Sequence, residues 1–247
     1  MRWHRPLLAI GLLVVVPCSW GRDHWPDRLA LGGAEPRLWQ QPDTQAQPLP
    51  SQLQTPLGSL WKLFVYSYLQ ANALQEPKLQ CTGQDPQQEH YCCDPGESVG
   101  RDEALIRSCG LYFAPERLGI QPTAWQHFWQ QRQAPEWLQE LSHLQPQQRV
   151  SVSSLLSALA IIPPEVQQQA RQTLSGVVLH GRGKAAVGSL GSLLGVKTYT
   201  QPTDEWGRVG GGAGWSDNGT PIWFGGQGSS STVLTRQAPF IARQLHQ

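Results

Sequence analysis

The sequence predicts an α+β fold in which one antiparallel sheet, built from strands near both chain ends, packs against a mainly helical middle. Three observations carry this. Two short β-prone stretches, Arg28-Leu-Ala-Leu-Gly-Gly and Arg37-Leu-Trp, stand near the start, helix-like apolar patterns fill much of residues 57–174, and glycine-punctuated β segments follow. With 247 residues, 39% hydrophobic and 15% charged, the chain can bury one sizeable core as one domain or two small ones, which excludes a disordered protein. Nineteen basic against eighteen acidic residues leave a formal charge of +1, so no strong field draws in nucleic acid or an anionic membrane. Eleven tryptophans, one methionine and abundant proline and glycine suggest a rigid, loop-rich extracytoplasmic protein.

Residues 1–21 read as a signal peptide: Arg2, His4 and Arg5, then the apolar run Leu7 to Val16, then the small residues Ser19 and Gly21, with cleavage expected after Gly21. That run falls short of the roughly 20 residues of a membrane-spanning helix, so no membrane span is expected in the mature chain and the location is periplasmic or secreted. Cys18 is a rival lipidation site, but Val15-Val16-Pro17 lacks the residues of a lipobox. Residues 22–56, interrupted by Pro36, Pro42, Pro48, Pro50 and Pro56, read as N-terminal edge strands and a connector, and residues 57–247 as the main domain.

Within that domain Leu57 to Leu74 is apolar and proline-free, which predicts a buried helix entered at Gly58-Ser59. Gln75 to Gly100 is polar and carries three cysteines, a surface excursion stapled to the body. Helices are expected from near Arg101 and over Thr123 to Leu144, Val150 to Ile162 and Glu165 to Leu174. Strands are expected at Gly176 to His180, Gly195 to Thr200, Arg208 to Trp215 and Pro221 to Gly225, with a turn at Ser216 to Gly219 and a last helix at Pro239 to Leu245.

Cys81, Cys92, Cys93 and Cys109 suit two disulfides in an oxidising compartment. Cys92 bonded to its neighbour Cys93 would strain, so each takes Cys81 or Cys109, in a pairing the sequence leaves open. Zinc is disfavoured because Cys92-Cys93 lacks the two-residue gap and His90, His127, His143 and His180 show no ligand spacing. No metal or cofactor is expected. Trp125, Trp129 and Trp137 with Phe128 fit core packing better than a glycan groove. Gly210 to Gly214 reads as a flexible hairpin rather than an anion cradle, since no Lys-Ser/Thr follows. Asn218-Gly219-Thr220 matches a glycosylation sequon and equally a tight turn.

Ser59-Leu60-Trp61-Lys62 is the first catalytic candidate. At a helix start, positions i and i+3 share one face, so the lysine amine can take the serine proton, and the helix N-terminus favours the alkoxide. Leu60, Trp61, Leu63 and Phe64 around Lys62 favour its neutral form by desolvation. A solvated cap with a snorkelling lysine has the same local sequence.

Ser108-Cys109-Gly110 before Leu111-Tyr112-Phe113, then Gly195-Val196-Lys197-Thr198-Tyr199-Thr200 and Trp223-Phe224-Gly225-Gly226, stand in an order and at spacings similar to those of compact class D β-lactamases and their sensor relatives. From about Thr55 to Gly226 the chain resembles the penicillin-recognising serine enzymes, as a divergent member of the kind grouped among predicted secreted bacterial domains of unknown function. The resemblance implies a β-lactamase/transpeptidase-like fold with Ser59 as the acylated nucleophile and Lys62 as its proton acceptor. Ser108 would relay a proton to the leaving amine, Lys197 and Thr198 would hold that relay and the substrate carboxylate, and the N–H groups of Ser59 and Thr200 would form the oxyanion hole. The implied ligand is a D-alanyl cell-wall peptide or a β-lactam.

Two departures from the family pattern bear on activity. Gly110 stands where the family has an orienting asparagine, and Tyr199 where it has a glycine beside the substrate. If Lys197 faces the cleft, period-2 alternation puts Tyr199 on the same face and Thr198 on the other unless a bulge intervenes. No deacylating base stands out, since Glu136, Glu140 and Glu165 read as solvated charges. The alternative function is a non-catalytic interaction module in a periplasmic complex, with Tyr199 filling the cleft; the resemblance extends to proteins encoded near bacterial α2-macroglobulins.

Overall fold

A computed structural model describes residues 25–43, 45–181 and 183–246; the expected signal peptide of residues 1–21 and Cys18 lie outside the described residues. The N-terminal segment forms β1 (Arg28–Leu31), β2 (Arg37–Gln40), β3 (Gln47–Pro48) and β4 (Gln54–Pro56), and α1 (Trp61–Ala71) follows. Every residue of α1 from Lys62 to Leu69 is buried. A helix buried on all sides sits inside the protein, and this one runs through the helical region with Lys62 and Ser67 among its buried residues.

The excursion holds β5 (Leu79–Gln80), α2 (Pro86–Glu89) and β6 (Ser98–Val99), with β5 paired to β6. Disulfides join Cys81 to Cys93 and Cys92 to Cys109, one partner for each of the adjacent cysteines. Next come α3 (Arg101–Arg107), α4 (Pro115–Leu118), α5 (Pro122–Gln130) and α6 (Glu136–Gln139), so the helix expected over Thr123 to Leu144 is broken into pieces around Pro135. Trp125, Trp129 and Phe128 are buried, as their spacing predicts. Strand β7 (Arg149–Ser151) pairs with β4 and leads into α7 (Val152–Ala160), which is capped by the Ser151 hydroxyl accepting from the Ser154 N–H at 3.1 Å.

Gly176 to His180 is not a strand: α8 (Pro164–Leu179) runs through it. Gly176 serves packing, because a Cβ there would lie 2.8 Å from Ile106 Cδ1 on α3. After the short α9 (Val187–Leu190) the sheet is completed by β8 (Leu194–Thr203), β9 (Gly207–Ser216) and β10 (Pro221–Gln227). The strand order β3-β2-β1-β10-β9-β8 makes one six-stranded sheet, antiparallel throughout, from both ends of the chain. Gly210 to Gly214 is an inner strand rather than a hairpin. At Gly212 a Cβ would lie 2.7 Å from the Phe224 ring, which leaves room for nothing larger than glycine.

The last helix, α10 (Ser230–Leu245), begins nine residues before the expected start at Pro239. The Ser229 hydroxyl caps it by accepting from the Thr232 N–H at 3.2 Å. Pro239 frees a carbonyl one turn back at Thr235, and both residues are exposed, so water can satisfy that group. One core cluster, with Leu63, Phe64, Trp125, Trp129 and Trp223, fills the space between sheet and helices. A second, with Leu29, Ile222, Phe224, Val233 and Ile241, seals α10 against the other face. Among the described residues no helix is long and apolar enough to cross a membrane.

Candidate active site

Ser59 lies in a 3-10 turn, Gly58–Leu60, that feeds directly into α1. A dihedral and a contact explain why glycine opens it: Gly58 has φ +49°, and a Cβ there would meet Tyr199 Cβ at 2.7 Å. The turn is tied down by the N–H groups of Leu57 and Gly58, which donate to the carbonyls of Gln148 (2.7 Å) and Pro146 (2.9 Å). One helical turn on, Lys62 is only 7% exposed.

The second contributor is the end of α3. Ser108 caps it in the left-handed conformation, φ +71°, at a cost of about 1–3 kcal/mol for a residue with a side chain. That conformation turns both oxygens of Ser108 toward the lysine. Lys62 Nζ donates to the Ser108 carbonyl at 2.8 Å, to Ser108 Oγ at 3.2 Å and to Ser59 Oγ at 3.1 Å. The Cys92–Cys109 disulfide anchors the next residue. Three positions further, the Tyr112 hydroxyl donates to Glu76 at 2.7 Å, and Glu76 is also paired with Arg101. Burial, and then the bond to Glu76, pushes the Tyr112 hydroxyl well above its ordinary range, so it stays a donor. Gly110 is adjacent to the lysine: a Cβ built there would lie 3.8 Å from Lys62 Cε, an ordinary contact, so the site has room for a side chain that the sequence does not supply.

Lys62, Ser108, Gly110 and Trp61 line a cavity of about 920 Å³. Gln87, Gln88 and Tyr91 of the disulfide-stapled excursion line it too, as do Glu140, Leu141, Ser142 and Leu144 to Pro146. These linings were not legible in the sequence, because no motif marks the residues that reach the cavity from separate elements. Glu136 and Glu165 are exposed.

Strand β8 is the sheet edge beside the turn that carries Ser59. Lys197 is fully buried, with Nζ donating to the Thr198 carbonyl at 3.4 Å, and Thr198 is 6% exposed. Tyr199 does not fill the cleft. Its ring lies across the inner sheet face against Gly211 and Gly225, and its hydroxyl meets Thr55 Oγ1 at 2.9 Å, with Trp223 Nε1–H donating to the same oxygen at 3.2 Å. Burial drives the tyrosine hydroxyl up to about 12. What Tyr199 can present at the strand edge is backbone alone. Thr200 is exposed, and its Oγ1 accepts the Ser230 N–H at 2.8 Å. Thr55 was not singled out by any local pattern; its role depends on a partner 144 residues away. Among the described residues no group of three or more His, Cys, Asp or Glu side chains could hold a metal ion.

The fold of the chain is similar to that of penicillin-binding transpeptidases and β-lactamases. The transpeptidase domain of FtsI4 D,D-transpeptidase from Legionella pneumophila superimposes with a TM-score of 0.58 at 12% identity, over 92% of this chain and 91% of that one. A class D β-lactamase from Bacillus subtilis gives 0.57 at 11% identity, over 90% and 92%. The C-terminal domain of the Bacillus licheniformis BlaR penicillin-receptor gives 0.56 at 12%, over 88% and 89%. Residues 84–202 match the family described as "Predicted secreted protein (DUF2300)", which agrees with the export expected from the first residues and with the two disulfides. The uncharacterized protein YfaQ of Escherichia coli (strain K12) is 44% identical over 99% of this chain, and the chain spans 45% of that protein's length.

Proposed function

We propose that this protein is a secreted serine acyl-transfer protein that binds D-alanyl peptides or β-lactams and is acylated slowly at Ser59. The observation that supports it most is the single amine, Lys62 Nζ, held between Ser59 Oγ at 3.1 Å and both oxygens of Ser108. As a neutral amine, Lys62 has two N–H groups for the Ser108 carbonyl and hydroxyl, and its lone pair then faces the Ser59 hydroxyl. Ser59 Oγ forms the new bond to the acyl carbon as its proton goes to Lys62; Lys62 then gives a proton to Ser108 Oγ while Ser108 passes its own to the departing nitrogen, and the amide C–N bond breaks. The left-handed Ser108, held at a cost, supports a residue kept for function. Lys197 and Thr198 would orient the substrate carboxylate from the strand, and the N–H groups of Ser59 and Thr200 would stabilise the oxyanion.

A second reading, a non-catalytic interaction module with a periplasmic protein partner, is favoured by Gly110, which has no side-chain amide to offer the lysine or a substrate. Intact mass after incubation with a reporter penicillin separates the two. The acylation reading expects a covalent adduct on wild type, none on Ser59→Ala, and at least about a hundredfold slower formation on Lys62→Ala. Absence of any adduct on folded wild-type protein would leave the module reading.

A further inference from the structure

A second groove, of about 720 Å³, shares no lining residue with the cavity at Lys62. Its walls come from the N-terminal strands, the β4–β7 ribbon and the tip of the β8–β9 hairpin. Arg28 and Arg149 face into it with their Nε groups donating to the side-chain oxygens of Gln40 (2.9 Å) and Gln54 (3.2 Å). Neither guanidinium has a carboxylate partner among the described residues. Asp27, next in sequence to Arg28, is engaged by Arg236. The rim also carries Glu205, which is exposed.

An arginine whose Nε is fixed by an amide is oriented in advance, and its terminal nitrogens form the fork that fits a carboxylate. Arg28 is partly buried, and leaving that charge without a counter-charge is costly, a cost a carboxylate ligand would offset. Aromatic surface lies beside the charges. Trp206 is half-buried and contacts Trp25 edge-on at 4.4 Å between ring centroids, while the Arg28 guanidinium lies 5.7 Å from the Trp25 ring. Flat apolar rings next to side-chain amides match a ligand with apolar ring faces and many hydroxyls. The backbone here offers little to a peptide. Strand β1 is paired on both sides, and the edge strand β3 is two residues long and ends in Pro48, which has no N–H.

We infer that this groove is a binding site for a carboxylate-bearing oligosaccharide, with Arg28 and Arg149 holding the carboxylate and Trp206 packing on a sugar ring. The site is independent of acylation at Ser59. Isothermal titration of the full chain with trigalacturonate, its methyl ester, neutral chitotriose and triglutamate tests it. The expected result is measurable binding of trigalacturonate, weakened roughly tenfold or more by esterification, by Arg149→Gln and by Trp206→Ala, with Ser59→Ala unchanged. Arg149 is exposed, so that variant leaves the core untouched. Equal binding of acid and ester, tighter binding of triglutamate than of the sugar acid, or no binding of trigalacturonate at millimolar concentration would each overturn the assignment.

Discussion

The two sides of the Ser59 turn use their polar residues in opposite ways. On the helical side, the end of α3 accepts a left-handed serine so that its oxygens reach Lys62, and a disulfide and the Glu76 cluster hold that strained corner. On the sheet side, the position at which the penicillin-recognising enzymes that the sequence resembles keep a glycine carries Tyr199, whose ring and hydroxyl have been absorbed into the core with Thr55 and Trp223. One side turns its polar atoms toward Lys62, and the other has buried its signature residue in the core. A substitution two residues from Lys197 therefore need not obstruct the strand edge, because in a sheet the side chain can go into the core while the backbone stays where it was.

The largest expected effect separates core from cleft at Tyr199. Tyr199→Gly should destabilise the fold by about 4 kcal/mol, as other large-to-small aromatic core changes do, and should not speed acylation. Urea denaturation with an adduct assay on the same sample checks both, and faster acylation in a stable variant would put the ring back in the cleft.

Removing the Cys92–Cys109 disulfide as the Ser pair should cost about 3 kcal/mol for a loop closed over a separation of 17 residues. The loss should fall on the helical side. Hydrogen exchange should accelerate around Ser108 to Tyr112 and leave β8 protected; uniform acceleration would mean that the two sides are one cooperative unit.

Alkaline titration probes the sheet side. The folded-state pKa of Tyr199 is raised from 10 to about 12, so the unfolded chain loses this proton first as pH rises. Its contribution is complete below pH 10 and falls away through about pH 12, by roughly 2–3 kcal/mol. Tyr66 and Tyr112 shift in the same direction and steepen the fall. Tyr199→Phe should have a shallower melting-temperature profile over that window, and an unchanged profile would show that the hydroxyl is not the group responsible.

The smallest expected effect is at Gly110. With its Cβ position 3.8 Å from Lys62 Cε, Gly110→Asn should be tolerated within about 1 kcal/mol and raise acylation severalfold by supplying an orienting amide. Stopped-flow acylation with a reporter penicillin measures it; a slower variant would mean that the open space beside the lysine is itself used by the ligand.

Local sequence determined the helix α1 with Ser59 and Lys62 one turn apart, the extended β8, and the need for each of Cys92 and Cys93 to find a separate partner. These rest on period, spacing and bond geometry, which act over a few residues. The sequence misled where one residue type serves two purposes: Gly176 reads as a strand punctuator but is a helix contact, and Pro239 reads as a helix start but lies inside α10. Only the tertiary structure decided which cysteine pairs with which, that Ser108 is left-handed, that Tyr199 lies in the core, and which residues wall the cavity. Each depends on atoms brought together from positions tens of residues apart, such as Thr55 and Tyr199 or Lys62 and Ser108, and no local pattern encodes the meeting of side chains from separate elements.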